Sequence, residues 1–305
     1  MHKTVFFNDW IREWLNEKSK YVKESSLALY RLNIRAHLIP YWGETNMREI
    51  TDDMIQTYVR QLSGEGKSPR TIRNILTILT GSLNHAMVKG VIRSKKFHPV
   101  FPSSDTEKNQ DVFSVREQKR LTEAIESSEN SKVLGIALCL FTGIRIGELC
   151  GLRWGDVDME NRVISVTQTI QRVVAGEKTR LLISSPKTRT SLRKIPISDR
   201  LFSLLRSFTT EVPEHYVLTS SPRPTEPAVY RRFFNAFLKK NGIRKVKFHA
   251  LRHTFATNCV NGGAEYKTLS SILGHSRIGT TLNLYVHPQM EQKRACVELA
   301  ADILK

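Results

Sequence analysis

Residues 142–154 read TGIRIGELCGLRW and place a glycine-containing break directly before a helix that should start near Ile146. Arg145 stands at the entrance of that helix, where free backbone N–H groups and the helix dipole already favour an anion. Glu148, three residues later, can lie beside the Arg145 guanidinium and hold its orientation. Taken alone, an arginine at a helix start more often forms a surface ion pair, so other segments must support a functional interpretation.

Two later segments carry polar side chains at helical spacings. In HALRHTFAT, His249 and Arg252 are three residues apart and should share one helix face, whereas His253 should be turned away from that pair. In LGHSRIGTTLNLYVH, His275 stands at the end of one helix and Tyr285 lies ten residues later in the next. Each segment alone is weakly diagnostic, because a single tyrosine on a helix usually only fills the core or the surface and has no part in chemistry.

The combination is more specific than its parts. The segments TGIR..EL, H.LRHTFAT and LGH with a later Y.H, in this order and at these spacings, resemble the tyrosine recombinases of the phage lambda integrase type. The resemblance extends over nearly the whole chain and implies a mainly α fold with a small antiparallel β-sheet (α+β). It implies two domains, an N-terminal helical core-binding (SAM-like) domain and a C-terminal tyrosine recombinase catalytic domain. The implied activity is site-specific DNA recombination through a 3′-phosphotyrosine intermediate, in integration or excision of a mobile element.

The resemblance also assigns site residues. Arg145, His249, Arg252 and His275 correspond to the family's phosphate-activating residues, and Tyr285 corresponds to its nucleophile. Each charge-assisted contact from a fixed guanidinium to a phosphate oxygen is worth about 1.5–3 kcal/mol. A tyrosine titrates near pH 10, so forming phenolate at neutral pH costs about 4 kcal/mol. The resemblance assigns to His249 the role of proton acceptor, and His275 can donate one more hydrogen bond.

The lysine assignment leaves alternatives open. The family uses a lysine on a β-hairpin to protonate the departing 5′ oxygen, and Lys187 in SSPKTRTS has the corresponding place. Lys178 and Lys194 are nearby alternatives, and a hairpin lysine is ordinarily a solvated turn residue. Ala250 stands where many relatives carry an acidic residue, which affects the surroundings of the site rather than its activity.

Charge and missing motifs narrow the function classes. Lysine and arginine outnumber aspartate and glutamate by 47 to 29, a formal net charge of +18, which favours a polyanionic partner such as double-stranded DNA. A membrane surface is the competing partner, but no basic amphipathic helix, apolar span or signal peptide is evident, so a cytoplasmic protein without membrane association is expected. There is no Walker loop, Rossmann fingerprint or metal-binding cluster, so neither ATP, a divalent metal nor another cofactor is expected.

Four widely spaced cysteines should be reduced packing residues: Cys139, Cys150, Cys259 and Cys296.

The N-terminal part reads as helices only. Apolar residues recur at helical spacing in VFFNDWIREWLNEK and in SSLALYRLNIRAHLIPYW, a third helix should follow Thr51, and Ser68 with Pro69 should start a fourth that ends at Gly90. SKKFHPVFPSSDTEKNQD lacks periodicity and is interpreted as a linker. We therefore expect domains at 1–93 and 112–305, joined by residues 94–111.

The C-terminal part is predicted to be helical with an inserted sheet. Ser114 and Glu117 form a capping-box pattern at its first helix, which should run to about Ile125. The runs RVISVTQTIQRVV, TRLLISS and LRKIPIS are β-branched and roughly alternating, which predicts one three-stranded antiparallel sheet. Helical patterns return from Asp199 onward.

Binding and assembly follow from the charge and from the resemblance. Basic residues on N-terminal helices are candidates for holding the duplex, although a solvated face is as common an outcome: Arg31, Arg35, Lys67, Arg70 and Arg73. The resemblance implies a homotetramer on DNA, a monomer or weak oligomer when free, and possible accessory excision or bending proteins. The tail VHPQMEQKRACVELAADILK can pack in its own chain or in a neighbour. Alternatives are a chromosome-dimer resolvase, a type IB topoisomerase and a non-catalytic DNA-binding regulator.

Overall fold

The computed structural model describes residues 4–93, 97–101, 111–175, 178–185, 192–209, 212–275 and 277–285, together with Arg294, Val297 and Glu298. The chain divides into two compact units. One comprises Met1–Lys108 with Val173–Arg180, and the other comprises Asn109–Arg172 with Leu181–Lys305.

The first unit is helical, as its sequence predicts. Its α-helices are α1 (Phe7–Lys18), α2 (Glu24–Asn33), α3 (Ile39–Trp42), α4 (Asp52–Gly64) and α5 (Pro69–Val88). The second predicted helix is interrupted, because residues Ile34–Leu38 form a π-helical turn between α2 and α3.

Side-chain caps and a buried tryptophan hydrogen bond stabilise this unit. The Thr51 hydroxyl accepts the Met54 N–H at the start of α4, and the Ser68 hydroxyl accepts the Thr71 N–H at the start of α5. In the core, the Trp10 indole donates to the carbonyl of Ser82 over 3.0 Å, which ties α1 to α5. The polar end of a buried tryptophan is thereby satisfied.

The second unit is mostly helical with strands inserted early. Its helices are α6 (Val115–Glu126), α7 (Leu134–Thr142), α8 (Ile146–Gly151), α9 (Asp199–Arg206), α10 (Pro227–Lys240), α11 (Ala250–Asn261), α12 (Tyr266–Leu273) and α13 (Ile278–Tyr285). The predicted capping box is confirmed at α6, where the Ser114 and Glu117 side chains and backbone N–H groups bond reciprocally.

The β-strands form two small sheets rather than the single sheet predicted. The strands of the first sheet are β1 (Val157–Asp158), β2 (Val163–Val166) and β5 (Arg193–Pro196), in the antiparallel order β1-β2-β5. The strands β3 (Thr169–Ala175) and β4 (Lys178–Ser184) pair separately.

The first predicted run breaks at two residues that bond elsewhere. The Thr167 hydroxyl donates to Asp156, and the Gln168 amide donates to the carbonyl of Gly151. These two hydrogen bonds hold residues 167 and 168 against the end of α8 and the turn that follows it. β2 therefore ends at Val166, and β3 begins at Thr169 in a separate sheet.

A left-handed glycine connects the buried helix α7 to α8. Gly143 has φ +66°, and a Cβ at this position would lie 2.6 Å from Phe255 and 2.8 Å from Leu273. Glycine is therefore required both by the backbone conformation and by the close packing. This turn places Arg145 at the start of α8.

Several sequence expectations fall outside the described residues. These are Lys187, Cys296, all but six residues of the 94–111 segment, and all but three residues after Tyr285. Of the other cysteines, Cys139 and Cys150 are buried and Cys259 is half-buried, all three as free thiols. In the part of the chain that the structure describes, every helix is too short or too polar to span a bilayer.

Candidate active site

The predicted site residues of the second unit that the structure describes, all but Lys187, converge where the α7–α8 turn meets α11, α12 and α13. Arg145 donates to the carbonyl of Gly274 over 3.0 Å. Arg252 contacts His275 over 2.8 Å, and the rings of His275 and Tyr285 are nearly parallel with centroids 6.3 Å apart. Residues from three distant segments of the sequence are thus brought into one cluster.

Glu148 orients Arg145, as the sequence predicts. Its carboxylate accepts from the Arg145 guanidinium over 2.8 Å and from the Arg145 backbone N–H over 3.0 Å. Glu148 is only 4% exposed. Burial alone would raise the pKa of Glu148, but the hydrogen bonds and charge of Arg193 and the charge of Arg145 outweigh it and lower the pKa.

Arg193 is a site residue that the sequence analysis did not identify. Both of its terminal nitrogens donate to the Glu148 carboxylate, at 2.8 and 3.2 Å, and its Nε donates to the carbonyl of Ile272. Its side chain is 4% exposed. Arg193 therefore joins β5 to Glu148 and to the end of α12, a three-way contact that no local spacing in the sequence reveals.

Arg252 is the most deeply buried cation of the cluster, at 2% exposure. Its guanidinium donates to the carbonyls of Gly143 and Leu273 over 2.7 and 2.8 Å, and to His275. Burial, followed by the charge of Arg145, lowers the pKa of Arg252 to about 10, so the side chain stays charged at neutral pH. Helix ends from two segments thus fix a buried positive charge.

His275 is held by bonds at both ring nitrogens. A guanidinium can only donate, so the Nε2 of His275 accepts from Arg252 and its Nδ1 carries the proton that bonds Thr281 over 2.8 Å. Burial and the charges of Arg252 and Arg145 lower the pKa of His275 to about 4. The ring is therefore neutral near pH 7.

Tyr285 lies under the cluster, with 5% of its surface exposed, against Ala256, Leu269 and Leu273. Its hydroxyl bonds the Nδ1 of His253 over 3.1 Å. Burial raises the pKa of Tyr285, and the charge and hydrogen bonding of Arg252 offset part of that rise.

The expected orientation of His253 was wrong. Its ring packs edge-to-face on His249 with centroids 4.6 Å apart, and the same ring reaches Tyr285. The signal in the sequence was the four-residue spacing between the two histidines, which brings side chains together on a helix as effectively as the three-residue spacing to Arg252.

His249 faces a different space from His253. With Arg145, Thr169 and Arg231 it lines a cavity of about 560 Å³. The pKa of His249 falls to about 4, because protein surrounds much of the ring and because His253, Arg252 and Arg145 disfavour a further positive charge. His249 and Arg145 thus present a neutral imidazole and a guanidinium to the same cavity.

Comparison with known proteins identifies the family of the chain. Residues 112–292 match the model of the phage integrase family, and residues 6–63 match the model of the phage integrase N-terminal SAM-like domain. The chain belongs to the phage integrase family. It is a tyrosine recombinase with the two-domain architecture of that family.

Individual relatives span most of this recombinase. A tyrosine recombinase described as XerC-like, from Caldanaerobacter subterraneus, is 31% identical over 276 residues, covering 82% of this chain and 70% of the relative. The ICEBs1 integrase of Bacillus subtilis is 21% identical, covering 89% and 76%. The structure of the Tn1549 transposon integrase in complex with a circular intermediate DNA has a TM-score of 0.82 at 23% identity, covering 98% of this chain and 100% of that one, and supports the fold.

The lysines of this tyrosine recombinase are placed unequally. Lys187 lies outside the described residues. Lys178 is exposed at the start of β4 and is grouped with the first unit. Lys194 is exposed on β5 and lines a cavity of about 390 Å³ with His275 and Lys267.

The candidate DNA-binding residues of the recombinase's first unit lie mostly at its surface. Arg31, Arg35, Arg70 and Arg73 are exposed, and Lys67 is half-buried. The Arg73 guanidinium stacks on the Phe101 ring at 5.4 Å, which holds one of these charges in a defined place.

Proposed function

We propose that this recombinase cleaves and rejoins double-stranded DNA by attack of the Tyr285 hydroxyl on a scissile phosphate. The product is a 3′-phosphotyrosine link and a free 5′-hydroxyl, so the energy of the phosphodiester is retained for rejoining. The observation that carries the proposal is the contact chain from Arg145 through Gly274 and His275 to Arg252, with Tyr285 beneath it. A non-catalytic DNA-binding protein has no need of such a cluster.

We place the scissile phosphate in the cavity lined by Arg145 and His249. The Arg145 guanidinium is fixed by Glu148, but the side chain is 35% exposed, so donors remain accessible to phosphate oxygens. Arg252 adds a buried positive charge whose field is weakly screened. Preorganised charge of this kind stabilises the negative charge that builds up on the phosphorane.

Two further steps complete the proposed reaction. Tyr285 is 5% exposed, so its hydroxyl must become accessible when DNA binds. Lys187 is our candidate for protonating the 5′ oxygen as it leaves, by resemblance to the family. We propose no metal ion or nucleotide cofactor.

We propose that residues 1–93 form a core-binding domain that holds the duplex through Arg31, Arg35, Lys67, Arg70 and Arg73. Residues 112–305 are then the catalytic domain, and 94–111 the linker. Recombination of two duplexes requires four strand cleavages, which we assign to a homotetramer assembled on DNA from free monomers, with accessory proteins as further partners. We place the reaction in the cytoplasm, where bacterial DNA lies.

Integration or excision of a mobile element is the biological role we propose. The support is the similarity to the ICEBs1 integrase and to the Tn1549 transposon integrase, which was solved in complex with a circular intermediate DNA.

Covalent capture of DNA tests the proposal. A duplex recovered from a random-sequence pool by repeated binding to the 305-residue chain is nicked and incubated with protein, and the covalent adduct is resolved on a denaturing gel. Wild type should form the adduct, and Tyr285→Phe should bind the duplex but form none. Tyr266→Phe, on the exposed face of α12, is the matched control and should behave as wild type. An adduct with Tyr285→Phe, or none with wild type, would contradict the proposal.

A further inference from the structure

We propose that His253 is a further catalytic residue, which accepts the proton of the Tyr285 hydroxyl as that oxygen attacks the phosphate. The inference rests on the proposed role of Tyr285 as nucleophile and adds the group that activates it. It differs from the sequence expectation, which assigned proton acceptance to His249.

The contact between His253 and the reacting oxygen carries the argument. The Nδ1 of His253 lies 3.1 Å from the Tyr285 hydroxyl oxygen, within the range from which a general base removes a proton. The ring centroids are 5.6 Å apart. Helices α11 and α13 hold the two side chains, so the contact joins two regular elements.

The charges around His253 suit a base rather than an acid. Burial and the charge of Arg252 lower the pKa of His253, and Asp111 partly opposes them. The neighbouring His249 ring is itself neutral near pH 7, because its pKa is about 4. A neutral His253 with its proton on Nε2 presents a lone pair at Nδ1, so the Tyr285 hydroxyl donates to it.

Arg252 favours ionisation of the same phenol through its positive charge. Its charge and hydrogen bonding lower the pKa of Tyr285 against the effect of burial. A nearby cation stabilises phenolate, and a nearby neutral imidazole takes the proton that phenolate formation releases. The Tyr285 hydroxyl therefore has both a cation that stabilises its phenolate and a base that accepts its proton.

His249 has a different task in this arrangement. It shares a cavity with Arg145, on the side where we place the phosphate. The Tyr285 hydroxyl bonds His253 over 3.1 Å, whereas His249 lines the cavity beside Arg145. We assign to His249 a hydrogen bond to the phosphate, and to His253 the proton of the nucleophile.

The step balances as follows. The bond between phosphorus and the Tyr285 oxygen forms while the bond between phosphorus and the 5′ oxygen breaks. The phenol proton moves to Nδ1 of His253, and the 5′ oxygen receives a proton from the general acid, for which Lys187 is our candidate. Religation reverses each transfer, so His253 returns its proton to the phenol.

A sulfur-substituted substrate separates the two proton transfers. The cleavage position is mapped from the wild-type adduct on the selected duplex, and a second duplex is made with sulfur in place of the bridging 5′ oxygen. A thiolate leaves without protonation, so loss of a general acid is rescued by this duplex and loss of the nucleophile's base is not. Adduct formation is then timed on both duplexes across a pH series.

His253→Gln should lower the adduct rate at neutral pH by about 10²-fold on both duplexes, which is the usual contribution of a general base. Its rate should then rise with pH toward ionisation of the phenol itself. His249→Gln is the matched control and should keep the wild-type shape of the pH profile. A wild-type profile for His253→Gln, or its rescue by the sulfur duplex, would overturn the inference.

A second variant covers loss of folding. His253→Ala opens space for a small base, so added imidazole should restore adduct formation in this variant and not in Tyr285→Phe. Thermal unfolding and duplex binding report whether each variant is folded. Failure of imidazole to act on a folded, DNA-binding His253→Ala protein would count against His253, whereas an adduct from Tyr285→Phe would contradict the nucleophile instead.

Discussion

Nη2 of Arg252 donates a hydrogen bond to Nε2 of His275 across 2.8 Å. The bond requires an unprotonated Nε2, and the pKa of His275 of about 4 accords with this. The charged Arg252 therefore disfavours a second positive charge on His275. The protonation state of His275 is linked to the stability of the fold.

That linkage has a definite sign. The pKa of His275 is about 4 in the folded chain and near 6.5 when unfolded, so the unfolded chain binds more protons between these values. Stability should fall as the pH falls from 6.5 toward 4, by at most about 2 kcal/mol per group down to pH 5. When the free energy of unfolding is measured with urea at pH 6.5 and at pH 5, His275→Gln should lose less stability between the two pH values than wild type. An equal fall in both proteins would contradict the linkage.

Arg193→Met should destabilise the second unit and slow strand cleavage. It leaves the buried Glu148 carboxylate without two of its hydrogen bonds, a loss of about 3 kcal/mol for a buried pair. Arg200→Met is the control, because the Arg200–Glu126 pair is exposed and such pairs contribute about 1 kcal/mol or less. Denaturant midpoints and adduct rates compare the two; similar effects would show that Arg193 has no special position.

Gly143→Ala should be damaging for two reasons. It forces an alanine into φ +66°, and its Cβ would overlap Phe255 and Leu273. We expect a loss of about 3 kcal/mol or more in unfolding free energy, with weaker cleavage, since Arg252 bonds this carbonyl. Gly90→Ala has a similar φ of +72° but open space around the Cβ, and should cost about 1 kcal/mol. Equal losses at both sites would refute the packing contribution.

Adduct formation should persist in excess chelator. The proposed charge stabilisation comes from Arg145 and Arg252, so removing divalent ions should leave the rate within about twofold, well under the tenfold that corresponds to 1.4 kcal/mol. Timed capture of the selected duplex with and without EDTA measures this. An absolute requirement for magnesium would contradict the proposed mechanism.

Local signals in the sequence predicted local structure well. The caps at Ser68 and Ser114, the helix after Thr51 and the position of Arg145 before α8 follow from patterns within four residues, and the structure confirms them. The π-helical turn at 34–38 and the division of the strands into two sheets were not predicted. The division of the strands depends on tertiary contacts that overrule the local pattern, such as the hydrogen bond from Gln168 to Gly151.

The candidate site was predictable where a motif marked it. Its remaining members were not, because Arg193 reaches Glu148 from 45 positions away and His253 meets Tyr285 from 32 positions away. Pairings of this length follow from how helices and strands pack, which a single sequence leaves open. The error on His253 came from considering only its position relative to Arg252.

The contacts of Arg193 carry a mechanical consequence. β5 begins with Arg193, whose side chain bonds the Glu148 carboxylate and the carbonyl of Ile272 in the last turn of α12. Because Glu148 also holds the Arg145 guanidinium, and Ile272 lies three residues before His275, a displacement of β5 would reach both places through the Arg193 side chain. A movement of this one strand would therefore shift Arg145 and the chain before His275 together.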